Sequence, residues 1–598
     1  MARRHFVGLD GIKGLALIAI ILYHCEQSWL PGGFYGVDVF LTVSGFLAAT
    51  GMFTRLTEGV GIGLEQYWPR RFARLYPALV LMVPAVGFAA WCLDRDLLVH
   101  IRDQIVTVAL GCYNWYAVAS GNSYFAQMSP QLLRHLWFVS VLMQLYLVVP
   151  LVAWVMHRMR RTHCAVLVPI ALAAGSALSM NLLYEPEKDP TRVYFGTDTH
   201  ATGFMLGIAL AWVATHHRVV TGERLPWATR MRRVLAPAVA FVAVIALIDM
   251  AVRGGQDADA FQWGIPLASV LSVLLIGGTV QTDSWMQSQF VFRPLALIGR
   301  YSYGLYLWHW PVWLIVSATL PRLLPGTDAG PWVLPVTLVI AVAAAAVSWI
   351  LIERPVVRGG ISSIIVPGPG STWKDVVRAV ASVVTLLLVV GGGVYVVKDA
   401  PEKTSVEIAL EQQSARLTAE RALGRSQVPT PRKPPHTMPA GDQLTAVGDS
   451  VMLAGSKGLE GMFPGIDLDA QVSRSSFAGF GILSAKGAGL RQWVVLGLAT
   501  NGPVPPEQLD QYLNMVGSDR VLVLVNAHGD RTWIPQNNQL LVDFAAAHPD
   551  NVVVADWNAM ATAHADVLAA DGIHPSAGSD IYAQAVRQSI QAWIDAGH

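Results

Sequence analysis

A serine closes an apolar run at Val447-Gly448-Asp449-Ser450, and an aspartate and a histidine stand three residues apart far downstream, in Asp571-Gly572-Ile573-His574. A hydroxyl nucleophile, an imidazole base and a carboxylate to orient it are the parts that acyl transfer through a covalent ester requires. The wiring these residue types predict has Ser450 as nucleophile, His574 as base and Asp571 holding the imidazole tautomer. The tetrahedral intermediate also needs donors for its oxyanion. Asn501, in Leu498-Ala499-Thr500-Asn501-Gly502, is typed to supply a side-chain amide, and the backbone N–H of Ser450 is a second candidate. A Gly-Asp-Ser tripeptide alone is an ordinary turn sequence; the three blocks in this order point to chemistry. Asp449 reads more naturally as a helix N-cap than as a catalytic group.

A second set lies upstream, inside apolar runs: His24, Asp38, His135 and His309. Ionisable groups in a bilayer are costly, so each is a functional hypothesis, with hydrogen-bonded helix packing as the plainer role. Arg70, Arg71 and Arg74 stand at the mouth of another run. Guanidinium forks there suit phosphate recognition, and they anchor topology in any case. No spacing of Cys, His, Asp or Glu matches a metal site, so the chemistry is expected to be metal-independent.

The elements that must position these residues follow from composition. The 598 residues are 53% hydrophobic and 14% charged, with a mean hydropathy of +0.44. That is too apolar for a soluble enzyme and fits a polytopic membrane protein. A net charge of +1, with no basic stripe bearing interleaved aromatics, argues against nucleic acid or other polyanions as partners. Cys25, Cys92, Cys112 and Cys164 all lie in the first third and read as small apolar fillers. The basic stretch from Met1 to Lys13 ahead of an apolar run has the outline of a signal peptide. The run holds His24 and Glu26 and lacks a small-residue cleavage site, so it is expected to stay as the first helix.

Runs of bilayer-crossing length fall near 12–27, 34–51, 72–93, 136–156, 163–183, 200–215, 234–251, 262–280, 301–320, 331–353 and 375–397. These make about eleven spans, the first, second and sixth being the weakest. Leu97 to Tyr116 reads as re-entrant or interfacial. Basic residues cluster in alternate loops: Arg3 and Arg4; Arg55, Arg70, Arg71 and Arg74; Arg158, Arg160 and Arg161; Arg218, Arg230, Arg232 and Arg233; Arg293 and Arg300; Arg354 and Arg358. Glu185-Pro186-Glu187-Lys188-Asp189 and Gln256-Asp257-Ala258-Asp259 fall in the others. This pattern predicts a multi-pass protein of the cell membrane with a cytoplasmic N-terminus and an extracytoplasmic C-terminal domain after about residue 398.

Glu402 to Gly424 is polar and helix-favouring, and Pro429-Thr430-Pro431-Arg432-Lys433-Pro434-Pro435 makes a stiff spacer, so together they read as a tether. Beyond it, strand-like runs (Leu444 to Val447, Trp493 to Leu496, Val521 to Val525, Val552 to Ala555) alternate with helical stretches such as Pro505 to Met515 and Ile581 to Trp593. The alternation predicts a small α/β domain with a parallel sheet. The organisation expected is a polytopic α-helical membrane domain over 1–356 (about ten helices), a cytoplasmic loop and a linking transmembrane helix over 357–398, an outer helical and proline-rich linker over 399–442, and the α/β domain over 443–598.

The blocks around Ser450, Asn501 and Asp571 to His574 resemble those of the SGNH hydrolase family. The family's second block, a Gly whose backbone N–H serves the oxyanion, aligns best with Ser473 in Asp469-Ala470-Gln471-Val472-Ser473-Arg474, and Gly479 is a rival. Arg531 and Trp533, in His528-Gly529-Asp530-Arg531-Thr532-Trp533, are similar to a block of acyltransferase-fused members and would line the acceptor site.

The first part of the chain resembles the acyltransferase-3 family of integral membrane O-acyltransferases. The matching stretches are Leu9-Asp10-Gly11-Ile12-Lys13-Gly14 with His24, Gly33-Phe34-Tyr35-Gly36-Val37-Asp38-Val39-Phe40 through Ser44-Gly45-Phe46, and Arg70-Arg71-Phe72-Ala73-Arg74-Leu75-Tyr76-Pro77. They continue in His135-Leu136-Trp137-Phe138-Val139-Ser140, Tyr301-Ser302-Tyr303-Gly304-Leu305-Tyr306-Leu307-Trp308-His309-Trp310-Pro311 and Ile352-Glu353-Arg354-Pro355. The departures are Lys13 where Arg is usual, Leu142 and Met143 where acids often follow, and His200 where Arg is more usual.

The resemblance implies that acyl-CoA, most often acetyl-CoA, docks from the cytoplasm and that its acyl group crosses the membrane. Lys13, Arg70, Arg71 and Arg74 would grip the CoA phosphates, and His24 would act as base or transient acyl carrier. Asp38, His135, His309 and Glu353 are further membrane-site candidates. Ser450 would then deliver the acyl group to a hydroxyl of a cell-envelope glycan, either peptidoglycan or a surface polysaccharide. The alternatives are an outer carbohydrate esterase, or a glycan exporter or binding protein without catalysis.

Overall fold

The computed structural model describes residues 6, 8–120, 131–159, 163–185, 189–220, 226–281, 284–325, 327–364, 372–422, 437–529, 531, 533–569, 571–575 and 579–597. Arg3, Arg4, Arg160, Arg161, Pro186 to Lys188, the proline-rich spacer, Asp530 and Thr532 lie outside the described residues, as do the side chains of Arg218, Arg230, Arg232 and Arg233. The chain forms two compact units, Met1–Glu402 and Lys403–His598.

Each apolar run forms a helix in the first unit: Leu9–Cys25, Gly36–Thr57, Leu64–Leu93, Trp137–Arg158, Leu167–Leu183, Thr202–Val220, Pro226–Arg253, Ile265–Thr279, Ser302–Leu323, Gly330–Ser348 and Trp373–Asp399. Among the described residues, 8 segments are long and apolar enough to cross a membrane. The first, sixth and ninth runs are not in that set. The second, expected among the weakest, is in it, because its helix runs on past residue 51 through the buried Met52, Phe53 and Leu56. The ninth is rich in Tyr, Trp and His, and those side chains are covered by protein: Tyr306, Trp308, His309 and Trp310 are all buried.

The 97–116 segment folds into the short helices Ile101–Ala109 and Tyr113–Ala119, neither of them long enough to cross. Gln144 pins it to the Trp137–Arg158 helix: its amide donates to Gly111 O and Asn114 Oδ1, both at 2.8 Å, and accepts from Trp115 Nε1 at 3.0 Å. The helix carrying His24 lies against the Arg293–Arg300 helix with no room for side chains at the contact. A Cβ on Gly14 would stand 2.3 Å from Leu295 O, and one on Gly299 only 1.5 Å from Asp10 O.

The second unit begins with the Ser405–Ala422 helix, whose buried Leu410 and Leu417 share a core with Leu459 and Leu468. Arg416 pairs with Glu460 at 2.6 Å, and Gln413 bonds Ser456. This part of the expected tether is thus docked on the α/β domain, because its leucines supply an apolar face.

The sheet is entirely parallel, in the order β2-β1-β3-β4-β5, with β1 Leu444–Gly448, β2 Asp467–Ala470, β3 Trp493–Gly497, β4 Val521–Val525 and β5 Val552–Ala555. β1, β3 and β4 are buried along their whole length, as strands covered on both faces by helices must be. β2 is a strand the sequence reading did not find. Its Asp467 and Asp469 disguise it, but it is an edge strand with Leu468 and Ala470 turned inward, and the aspartates pair with Lys486 (2.7 Å) and Arg474 (2.9 Å). In this strand order the switch point lies between β1 and β3, where open α/β sheets form their ligand crevice.

Candidate active site

Ser450 follows β1, Ser473 follows β2 and Asn501 follows β3, so three sequence blocks meet at the carboxyl ends of adjacent strands. Asp571 and His574 reach them from the loop before the Ser579–Asp595 helix. His574 Nε2 lies 2.8 Å from Ser450 Oγ, and His574 Nδ1 lies 2.6 Å from Asp571 Oδ2. The other oxygen of Asp571, Oδ1, accepts the backbone N–H of Ile573 (2.9 Å) and of His574 (3.1 Å). A carboxylate can only accept, so Nδ1 carries the proton and Nε2 is the base facing the hydroxyl. Ser450 and His574 are buried.

Burial alone would raise the Asp571 carboxyl. The hydrogen bond and charge of His574, with the two backbone donors, instead hold it below the usual carboxylate range. Asp449 is the opposite case: burial pushes it above that range against the pull of the Val451 N–H. Its Oδ1 accepts that N–H at 2.9 Å, which is the capping role its position suggests.

Ser473 has φ 59°, the left-handed conformation that glycine adopts freely and other residues adopt at a cost. The backbone at Ser473 thus takes a conformation that favours glycine, although the residue is serine. Gly479, the rival, lies inside the Ser476–Lys486 helix, where a Cβ would stand 2.4 Å from Leu498 Cδ1 and 2.8 Å from Tyr512 Oη, so its bareness serves packing. Asn501 Nδ2 donates to Arg474 O at 3.2 Å, bringing the amide beside the Ser473 turn. Arg474, buried, ties that turn to the sheet through Gly448 O and Asp469.

Trp533 donates its indole N–H to Thr500 O at 3.0 Å, which sets it against the Asn501 loop. Arg531 sits in the same β4 loop, its N–H bonded to Gly529 O at 3.1 Å. Sequence reading missed Asn537. Its Nδ2 donates to Ala499 O and Gly502 O, both at 2.9 Å, and its Oδ1 accepts Val504 N–H at 3.0 Å, so one side chain shapes the whole Asn501 loop. The available signal was a run of four amides, Gln536-Asn537-Asn538-Gln539, at the start of a helical stretch that turns apolar at Leu540.

In the membrane unit, His24, His135 and His309 come together. His24 Nδ1 is 2.8 Å from His309 Nε2, and the His135 and His309 ring centroids are 5.9 Å apart. Asp38 pairs elsewhere, its Oδ1 lying 3.4 Å from His200 Nε2 and 3.2 Å from Ser269 Oγ in a buried cluster. His200, where an Arg is more usual, thus stands beside this carboxylate.

The basic set divides in the same way. Lys13 Nζ is paired with Asp10 at 2.7 Å, and Arg70 bonds Gln66 at 3.1 Å. Arg71 lies over the rings of Tyr67 and Tyr146, at 5.2 and 4.6 Å. Arg74 is near enough to Lys13 and to Glu353 for their charges to act on one another, and Glu353 accepts from Ser348 Oγ at 2.8 Å. The described cysteines are free thiols. Among the described residues no group of three or more His, Cys, Asp or Glu is arranged to hold a metal ion.

The family model for the acyltransferase domain matches residues 6–353. The chain is 28% identical to the peptidoglycan O-acetyltransferase OatA of Listeria monocytogenes over 97% of each chain. It is 27% identical to the putative peptidoglycan O-acetyltransferase YrhL of Bacillus subtilis over 96% of each, and 27% identical to a putative O-acetyltransferase of Staphylococcus aureus over 96% of this chain and 94% of that one. A match to the solved C-terminal catalytic domain of peptidoglycan O-acetyltransferase A from Streptococcus pneumoniae, carrying a methylsulfonyl adduct, covers 27% of this chain and 97% of that one, at 24% identity and a TM-score of 0.24. With more than half of its length matched by the family model, and with the motif histidines His24, His135 and His309 gathered in its apolar helical unit, the chain belongs to the acyltransferase-3 family of membrane O-acyltransferases.

Proposed function

We propose that this chain O-acetylates peptidoglycan, taking the acetyl group from cytoplasmic acetyl-CoA, passing it through the membrane unit, and transferring it from Ser450 to a sugar hydroxyl outside. The observation that carries the reading is the continuous line from Asp571 through His574 to Ser450 Oγ, at 2.6 and 2.8 Å, in the same chain as the acyltransferase helices. The names of the relatives support the acceptor.

In the membrane unit, Lys13, Arg70 and Arg74 meet the donor's phosphates, with Lys13 shared between the donor and Asp10. Arg71 shapes the same mouth through Tyr67 and Tyr146. Lys13 and His24 stand on one helix, about 16 Å apart along its axis, so the donor's thioester must reach inward on an extended arm. His24 receives the acyl group there, with His135 and His309 as the surrounding polar groups, while Asp38 orders the His200 cluster and Glu353 serves the mouth beside Arg74.

In the outer unit, His574 Nε2 takes the Ser450 proton as Oγ attacks the incoming acyl carbonyl. The Ser473 N–H, the Asn501 amide and the Ser450 N–H meet the oxyanion. The acyl-serine forms as the carrier leaves with the proton from His574. The acceptor hydroxyl then gives its proton to His574 and attacks the ester, with Arg531 and Trp533 beside the sugar, and Ser450 regains its proton.

The test is alkali-labile acetate measured on purified peptidoglycan and on other envelope glycans, from cells carrying the intact chain or Ser450→Ala. A fall confined to peptidoglycan supports the reading, and a fall in another fraction moves the acceptor there. A rise makes the outer unit an esterase and overturns it.

A further inference from the structure

The three gathered histidines have determinable proton positions, and these single out one nitrogen. Pro311 has no N–H, so Leu307 O lacks its helical donor. His135 Nε2 supplies one at 3.0 Å, while Tyr306 Oη donates to His135 O at 2.6 Å. These two bonds lock the Arg134–Leu136 turn to the Ser302–Leu323 helix and fix Tyr306 in place. Tyr306 O lies 2.6 Å from His309 Nδ1. A carbonyl only accepts, so His309 Nδ1 bears the proton and, in the neutral ring, Nε2 is the acceptor. That acceptor faces His24 Nδ1 at 2.8 Å. The two ring planes differ by only 6° with centroids 5.1 Å apart, a spacing too wide for face contact and right for an in-plane hydrogen bond. His24 therefore carries its proton on Nδ1 and presents Nε2 as its basic nitrogen.

We propose that His309 is a positioning residue that sets the tautomer of His24, making His24 Nε2 the atom that accepts the acyl group. The proposal rests on the reading that acyl transfer passes through His24. The Nε2 lone pair forms the new C–N bond, the thioester C–S bond breaks, and the thiolate leaves with its electron pair. The product is an acylimidazolium whose positive ring keeps its Nδ1 proton in the hydrogen bond to His309 Nε2. The Tyr306 carbonyl and His309 do for His24 what Asp571 does for His574: an oxygen fixes which nitrogen is protonated, and so which one reacts.

The experiment uses the full chain in lipid nanodiscs with acetyl-CoA as donor. Free thiol release gives kcat and KM, and diethyl pyrocarbonate, a small acylating probe, gives the rate of His24 modification by peptide mass spectrometry. His309→Phe keeps a flat ring but offers no acceptor. It is expected to lower kcat by about 100-fold or more, by analogy with a lost tautomer-setting group, with donor KM nearly unchanged and His24 modification slowed in parallel. His309→Gln places an amide oxygen where Nε2 was and is expected to recover at least about tenfold over His309→Phe on the same grounds. That rescue would not occur if the ring only filled space.

If His309→Phe keeps more than a third of the activity while His24→Ala has none, the positioning role fails and the passage through His24 stands. If His309→Gln is as inactive as His309→Phe, with donor KM and thermal transition intact in both, the tautomer role is likewise overturned. If His24→Ala retains full transfer, the underlying reading fails instead.

Discussion

Asp571→Asn tests the outer site most sharply, because the backbone decides which way the new amide faces. Asp571 Oδ1 accepts two backbone N–H groups, at 2.9 and 3.1 Å, while Oδ2 holds His574 Nδ1 at 2.6 Å. An asparagine that keeps its oxygen on the two N–H groups turns its NH2 toward Nδ1. Nδ1 must then accept, the imidazole proton moves to Nε2, and the base facing Ser450 is gone. The opposite flip restores the tautomer but sets an NH2 against two N–H donors. Losing two hydrogen bonds and leaving their donors unmet costs about 2–4 kcal/mol, so only about one molecule in 30 to 1,000 holds the active arrangement. The expected loss in acylation rate is therefore about 30- to 1,000-fold, extending toward the 10⁴ seen for the same change in the worked serine-protease case. The assay is the burst rate of p-nitrophenyl acetate on the purified full chain, with the Ser450→Ala rate subtracted and the thermal transition recorded. An Asp571→Asn rate above a tenth of the parent, with the fold intact, would refute the inference that this carboxylate sets the tautomer.

Other consequences follow from the same geometry. Ser473→Gly relieves a left-handed serine worth about 1–2 kcal/mol, less about 0.4–1 kcal/mol of added freedom in the unfolded chain. The outer unit should melt at an equal or higher temperature with Ser450 phosphonate labelling retained; a loss of labelling would show that the Ser473 side chain itself acts. Asn537→Ala removes three bonds from the Asn501 loop. Acylation should fall about 100-fold, as for a catalytic group displaced by about 1 Å, and near-parent rates would mean the loop holds itself.

The two perturbed carboxyls titrate with opposite signs. Asp571, held low, contributes stability above about pH 4, the ordinary carboxylate value, and loses it as pH falls through its depressed value. Asp449, held high, contributes in acid and loses its contribution as pH rises through its elevated value. Asp449→Asn should therefore raise the melting temperature near neutral pH and leave it unchanged in acid; equal shifts at both would contradict a buried charge. In the membrane unit, Asp10→Asn frees Lys13 and should lower the KM for acetyl-CoA about three- to tenfold, the worth of roughly 1 kcal/mol of released ion pair. A raised KM would make the Lys13–Asp10 pair structural.

The sequence by itself determined the outline. Bilayer-length apolar runs can only be helices, since every backbone group must be satisfied within the segment. Alternating strand-like and helical stretches imply a parallel sheet, and a Ser-Asn-Asp-His set in order has few uses other than acyl transfer. It also placed His24, His135 and His309 on the candidate roll one by one. It could not find β2, because that strand's character comes from its place at the sheet edge and not from its acidic residues. It could not find Asn537, whose role exists only because the Asn501 loop folds over it. It preferred Ser473 to Gly479 by alignment alone and could not see the left-handed backbone there, since a positive φ belongs to the folded backbone and not to the residue type.

The division of the ionisable residues was likewise left to the tertiary structure. Asp38 went to His200, Lys13 to Asp10 and Arg71 to two tyrosine rings, while His24 and His309, 285 positions apart, came to share one hydrogen bond. Residue type fixes what a group is able to donate or accept, but a proton sits on one nitrogen or the other according to which partner packing brings within 3 Å. That choice decides which atom reacts.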